Sequence, residues 1–113
     1  MLAGEIYLAQ FPFGGSAGMK VRPVLLLTGA IGTIPEVLVA YISSVLPTTL
    51  LPSDVVVDPA HKTFANSNLK ARSVLRLHKV ATIHGRSLVR YLGKFDTGPM
   101  ADVAARLRAL LSL

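Results

Sequence analysis

Proline and glycine decide what this chain can fold into before anything else does. Pro35, Pro47, Pro52 and Pro59 interrupt its apolar stretches, and Gly14, Gly15 and Gly18 fall together in one segment. The runs between these breaks are short and rich in branched apolar residues, which is the pattern of strands. Residues 4–10 alternate in polarity, with Ile6, Leu8 and Gln10 on one face and Tyr7 and Ala9 on the other. They predict a strand that Phe11-Pro12-Phe13 ends, followed by a flexible loop over 14–18. Residues 21–28 predict a second, mostly buried strand. Pro23 has no N–H, so it belongs at that strand's start, on an edge or at a bulge.

Residues 36–44 predict a third strand, and residues 54–58 a short fourth one closed by Pro59. Residues 60–71 are polar without a period and read as loop. Over 72–83 the alternation returns, with Val74, Arg76 and His78 on one face and Leu75 and Leu77 on the other. A further short strand follows, and residues 86–94 fit no pattern cleanly. The one helical period comes last. Asp96 or Thr97 can cap it, Pro99 suits its first turn, and Met100, Val103, Leu107, Leu110 and Leu111 recur at helical spacing. Arg106 and Arg108 lie near its C-terminal end, where the helix dipole favours cations. The expected fold is mainly β: a small curled β-barrel with a C-terminal helix, in one domain spanning residues 1–113.

Half the chain, 51%, is hydrophobic, which excludes disorder as the main state. No run approaches the ~20 apolar residues of a membrane span. There is no cysteine, so disulfides and thiolate metal sites are out. Met-Leu-Ala-Gly-Glu at the start does not read as a signal peptide. A soluble cytoplasmic protein is expected, with no membrane partner.

The charges are distributed unevenly. The formal net charge is +6, and from Pro59 to Phe95 there is no carboxylate at all. That stretch holds Lys62, Lys70, Arg72, Arg76, Lys79, Arg86, Arg90, Lys94 and all three histidines. One unneutralised basic stretch calls for a polyanion or an acidic partner. Histidine within it suggests proton transfer on a phosphate ester.

Three groupings could carry that chemistry. Lys20-Val21-Arg22-Pro23 follows the glycine loop, where Arg22 could grip a phosphate and stabilise charge growing on phosphorus; otherwise these are two exposed cations at a strand start. Ile42-Ser43-Ser44 ends a strand with hydroxyls that can donate to a phosphate oxygen, or is simply a polar terminus. Arg76-Leu77-His78 puts, at period two, a cation and an acid–base group on one face, about 7 Å apart. A base can take the 2′-hydroxyl proton of RNA for attack on the adjacent phosphate, and an acid can protonate the departing 5′-oxygen, leaving a 2′,3′-cyclic phosphate. The plain alternative is a solvated histidine. His61 and His84 stand alone and read as non-catalytic. The histidines lack metal-ligand spacing, so no metal or other cofactor is expected. Tyr7, Phe11, Phe13 and Tyr41 could stack bases or pack in the core.

The order of these pieces resembles the MazF/PemK/Kid family of toxin endoribonucleases from bacterial toxin–antitoxin pairs. The resemblance runs nearly end to end. Gly4-Glu5-Ile6-Tyr7 is followed by the glycine loop, Arg22-Pro23-Val24-Leu25, and then Val39-Ala40-Tyr41-Ile42-Ser43-Ser44. Asp54-Val55-Val56-Val57-Asp58, the basic run Ser73 to Ile83, Leu92-Gly93-Lys94 and the terminal helix complete it. The resemblance implies an SH3-like barrel acting as a homodimer on single-stranded RNA, without metal and within a short preferred sequence. It also implies a cognate acidic antitoxin laid across the basic surface. On it, Arg22 matches the catalytic arginine of the Arg-Pro motif, and Ser43 falls where many members carry a catalytic threonine. Arg76 matches the arginine of an Arg-x-Asp motif in the Kid branch, with His78 where that branch has aspartate. The catalytic candidates are thus Arg22, Ser43, Arg76 and His78, with Lys20, Pro23, Ser44, Lys79 and Phe13 as RNA contacts. Two other readings stay open. One is a barrel that binds RNA without cutting it, since His78 replaces the acid. The other is a CcdB-like poison of DNA gyrase, acting through the end of the terminal helix at Ala109-Leu110-Leu111-Ser112-Leu113.

Overall fold

The computed structural model describes residues 1–11 and 20–113, and the side chain of Phe11 is not among what it describes. Phe13 and the glycine loop expected over 14–18 therefore lie outside the described residues. Among the described residues six strands form one antiparallel sheet: β1 (Glu5–Phe11), β2 (Lys20–Leu26), β3 (Glu36–Ser43), β4 (Asp54–Val57), β5 (Ser73–His84) and β6 (Leu88–Lys94). The helix α1 (Thr97–Leu111) closes the chain. Across the sheet the order is β4-β5-β3-β2-β1-β6.

That order and one short link force the sheet to curl. β5 and β6 stand four places apart. On a flat sheet that is about 19 Å. Yet only the 3₁₀ turn Gly85–Ser87 joins them, and three residues with their flanking bonds reach about 14 Å at most. The ends of β5 and β6 must therefore come round to meet. Burial agrees, because the sheet carries an apolar cluster on each face. Ile6, Leu25, Ile42, Val55 and Leu75 lie on the face that packs against Val103 and Phe95. Val24, Leu26, Val37, Val39 and Ile83 lie on the other, with Ala81 and Leu88 packed over them. Among the described residues β4 and β6 each pair with one neighbour only, so the barrel is curled but not closed by strand pairing.

The expectations hold at the level of elements and fail in three details. Residues 72–83 and the short strand after them are a single strand, β5, bent at an irregularity. Ala40 of β3 pairs with Val80, while the next residue, Tyr41, pairs with Arg76. Leu77, His78 and Lys79 are left without partners on β3, and such a bulge bends a strand and re-aims its side chains. The ambiguous 86–94 become β6, an edge strand with mostly exposed side chains. The polar loop 60–71 contains a 3₁₀ segment, Lys62–Ser67, in which the Thr63 N–H donates to the His61 imidazole (to Nδ1, 3.2 Å). Pro23 sits inside β2 opposite Leu8, at the point where the β2–β3 ladder has already stopped at Val24. There its missing N–H interrupts no β2–β3 bond.

Asp96 does occupy the N-cap of α1, but its carboxylate makes no cap bond. It accepts instead from Asn66 Nδ2, at 3.1 Å to each oxygen. The helix ends on Ser112 in the left-handed region, with Leu113 N donating to Arg108 O at 2.9 Å. Met100, Val103 and Leu107 pack on the core. Leu110 and Leu111 stay exposed, at 41% and 60%. Gly93 lets β6 pass against the 3₁₀ segment; a Cβ there would collide with the backbones of Asn66 and Ser67.

Candidate active site

Strand register gathers most of the predicted residues on one face. Val24 pairs with Tyr41, and continuing that register by two residues sets Arg22 opposite Ser43. Ser43 pairs with Val74, and Tyr41 pairs with Arg76. Residues in register share a face, so Arg22, Ser43 and Arg76 all lie on the side of Val24 and Val39. Directly opposite residues have Cβ atoms about 5 Å apart and diagonal ones about 7 Å. Three strands thus set two arginines on either side of one serine.

Each of these side chains has a distinct setting. Arg22 is half-buried, and its Nη1 donates to the neighbouring Val21 carbonyl at 2.9 Å. It forms no ion pair among the described residues. The Ser43 hydroxyl closes a turn, accepting from Val45 N at 3.1 Å and donating to Val45 O at 3.2 Å. Arg76 is held from the neighbouring strand. Its Nε donates to Asp54 Oδ1 at 2.8 Å, and the Asp54 side chain is fully buried. The other carboxylate oxygen of Asp54 accepts from Leu51 N at 2.8 Å. With Nε so engaged, the terminal nitrogens of Arg76 have no partner among the described residues.

Asp54 is the residue that sequence reasoning missed. It reads as the polar start of a strand, and only the pairing Asp54↔Arg76 shows its use. A signal was nonetheless present. An aspartate in a strand of valines must be matched by a cation or by N–H groups if its side chain turns inward. The helix reinforces the same corner: Arg106 Nη1 donates to Pro52 O at 2.6 Å and to Asp54 O at 3.0 Å.

His78 is not on this face. The bulge ends the alternation that would have set it beside Arg76, and it lines a cavity of about 590 Å³ on the helix-bearing side, with Leu38, Val80, Leu107 and Leu110. Lys79 takes the place on the outer face, its Nζ 5.7 Å from the Tyr41 ring centroid. Lys20 is exposed at the start of β2. Pro23 and Ser44, next in sequence to Arg22 and Ser43, line a separate cavity. On the same face as Arg22, Tyr7 meets Tyr91 edge to face at 5.5 Å. Burial first, and then the Glu5 carboxylate, push the Tyr7 phenol above its ordinary 10.0. Among the described residues no group of His, Asp and Glu is arranged to hold a metal ion.

The family model described as PemK-like, MazF-like toxin of type II toxin–antitoxin system matches residues 2–111. The chain belongs to this family. Solved members have its fold. The Mycobacterium tuberculosis toxin MazF-mt6 superposes with a TM-score of 0.74 at 26% identity, over 96% of this chain and 97% of that one. A mycobacterial endoribonuclease in complex with its cognate antitoxin gives 0.70 at 18%, over 100% and 96%. MazF from Deinococcus radiodurans gives 0.67 at 20%, over 99% and 96%. Comparison with curated protein sequences finds no match. For a MazF-like toxin, a face that carries two arginines and a serine on adjoining strands is the natural place to look for the working site.

Proposed function

We propose that this toxin is an endoribonuclease that cuts single-stranded mRNA within a preferred sequence, in the cytoplasm and without a metal ion. The observation that carries the reading is the convergence of Arg22, Ser43 and Arg76 on one sheet face. The scissile phosphate sits between the two guanidinium groups. The 2′-hydroxyl of the ribose bearing this phosphate on its 3′-oxygen gives its proton to solvent and bonds to phosphorus; the bond to the 5′-oxygen breaks and that oxygen takes a proton from solvent, leaving a 2′,3′-cyclic phosphate and a 5′-hydroxyl. Negative charge concentrates on the non-bridging oxygens in the transition state, where preorganised cations act most strongly. Arg22 supplies one such cation. Arg76 supplies the other, oriented by Asp54. Ser43 donates to a phosphate oxygen once it leaves Val45. His78, on the helix-bearing side, has no part in this face; its substitution by Asn is expected to cost less than loss of Arg22.

The test is incubation of the purified protein with a long RNA in EDTA, with fragment ends mapped. Cutting that yields cyclic phosphate ends and disappears in Arg22→Ala supports the reading. Intact RNA, or cutting that survives Arg22→Ala, ends it. Intact RNA with retained, salt-sensitive binding would select a binding-only barrel, and inhibition of gyrase supercoiling would select the gyrase poison.

Two partners belong to the same proposal. One is an antitoxin, as the mycobacterial endoribonuclease has in its complex; an acidic one would be drawn to the carboxylate-free stretch from Pro59 to Phe95. The other is a second copy of the toxin. The exposed Leu110 and Leu111 and the apolar cavity beside them are what a homodimer would cover.

A further inference from the structure

The carboxylate that holds Arg76 is itself aimed by a turn. Asp54 binds Arg76 Nε through one oxygen and Leu51 N through the other, each at 2.8 Å. Where its oxygens point therefore depends on where residues 51–54 lie. The turn has one backbone bond of its own, from Asp54 N to Leu51 O at 2.9 Å. Apolar burial does little for its leading side, since Leu50, Leu51 and Pro52 are all exposed.

Helix α1 adds a hold from outside the turn. Arg106 Nη1 donates to Pro52 O at 2.6 Å and to Asp54 O at 3.0 Å. Its Nε donates to Asp102 Oδ2 at 3.0 Å, one helical turn back. The Arg106 and Asp102 side chains are 36% and 49% exposed, so as an ion pair they contribute little to stability. What the pair does is directional. A guanidinium is a rigid planar fork, so fixing Nε on the helix sets where Nη1 points. One nitrogen then clamps two carbonyls, and one of them belongs to the residue whose side chain orients Arg76.

We propose that Arg106 is a positioning residue for RNA cutting. From the helix it holds the backbone at 52–54, and so the Asp54 carboxylate and the Arg76 guanidinium, in the geometry that the scissile phosphate requires. The inference rests on the ribonuclease reading and brings the C-terminal helix into the machinery, although Arg106 itself touches no substrate. A displacement of about 1 Å at a catalytic group can cost about 10²-fold in rate, so a clamp on the residue that aims such a group has leverage.

The test compares single-turnover cutting at saturating RNA with affinity for an uncleavable analogue lacking 2′-hydroxyls, under conditions where each variant is folded by urea titration. Arg106→Met keeps the apolar stem and removes the donors. It is expected to slow cutting about three- to ten-fold while affinity holds. Arg108→Gln removes the same charge from the same helix and leaves the rate alone. Should Arg106→Met not fold, Asp102→Asn, which releases the fork but keeps its donors, takes its place. In an Asp54→Asn background the Arg106 substitution should add no further loss, because the link is already broken. A second readout needs no cutting: the Arg76 Nε–H NMR signal, identified by its disappearance in Arg76→Lys, should exchange with water faster in Arg106→Met than in the wild type. Wild-type rate in the variant, unchanged exchange at Arg76 Nε, or an undiminished loss in the Asp54→Asn background overturns the positioning role and leaves the toxin a ribonuclease. A wild type that leaves RNA intact removes the ribonuclease reading, and this role with it.

Discussion

Asp54 carries an unusual load for one carboxylate. It is fully buried, and it holds Arg76 through one oxygen and a turn through the other. Removing its charge leaves a cation half-enclosed without its partner. Asp54→Asn is expected to cost about 2–4 kcal/mol of stability, read as a shift in the urea midpoint. The same substitution frees the guanidinium, so single-turnover cutting should fall about ten-fold or more at saturating RNA. A double-mutant cycle with Arg76→Ala checks that both effects run through the pair. Arg22→Ala touches no such network and is expected to cut the rate about 10²–10³-fold with little change in stability. Tyr7 gives a pH prediction. Its phenol is raised in the fold, so as pH climbs the unfolded chain ionises first. Stability intact below about pH 10 should decline above it. Tyr7→Phe should flatten that decline in urea titrations repeated at alkaline pH.

Arg22, Ser43 and Arg76 were singled out from short motifs, but that they share a face comes from strand register, which no single motif carries. Period-two alternation misplaced His78. Alternation holds through Leu77 and is then reset by a bulge that nothing in Leu77-His78-Lys79 announces; a bulge is settled by what the partner strand does. Asp54 was missed because its partner, Arg76, stands on another strand 22 residues away.

Among the elements, β6 shows why an edge strand is hard to read. It is exposed on much of its length, so no apolar alternation marks it, whereas α1 and the inner strands announce themselves through their buried faces. β6 is held by its ladder with β1, and Gly93 lets it lie close against the 3₁₀ segment. Gly93→Ala must push back the Asn66 and Ser67 backbones and should destabilise by about 1–3 kcal/mol in a denaturant titration. Gly98, in the first turn of α1, has open space around the position of a side chain. Gly98→Ala should therefore stabilise by about 0.5 kcal/mol, and the pair of measurements separates crowding from helix propensity.

For the molecule as a whole, the fold class followed from counting short strands and one terminal helix, and the curl follows from topology that composition does not encode. The proposed dimer is tested at this scale. Light scattering at micromolar concentration should give twice the chain mass, and Leu111→Asp should shift it towards the monomer; a monomeric wild type rules the pairing out.

The open seam of the barrel has one more consequence. Among the described residues β6 pairs with a strand on one side only, and rims of this kind recruit strands from neighbouring molecules into aggregates. Arg90 and Lys94 lie on it, and charge at such a rim keeps other chains off. Neutralising Arg90 should therefore show as turbidity on standing.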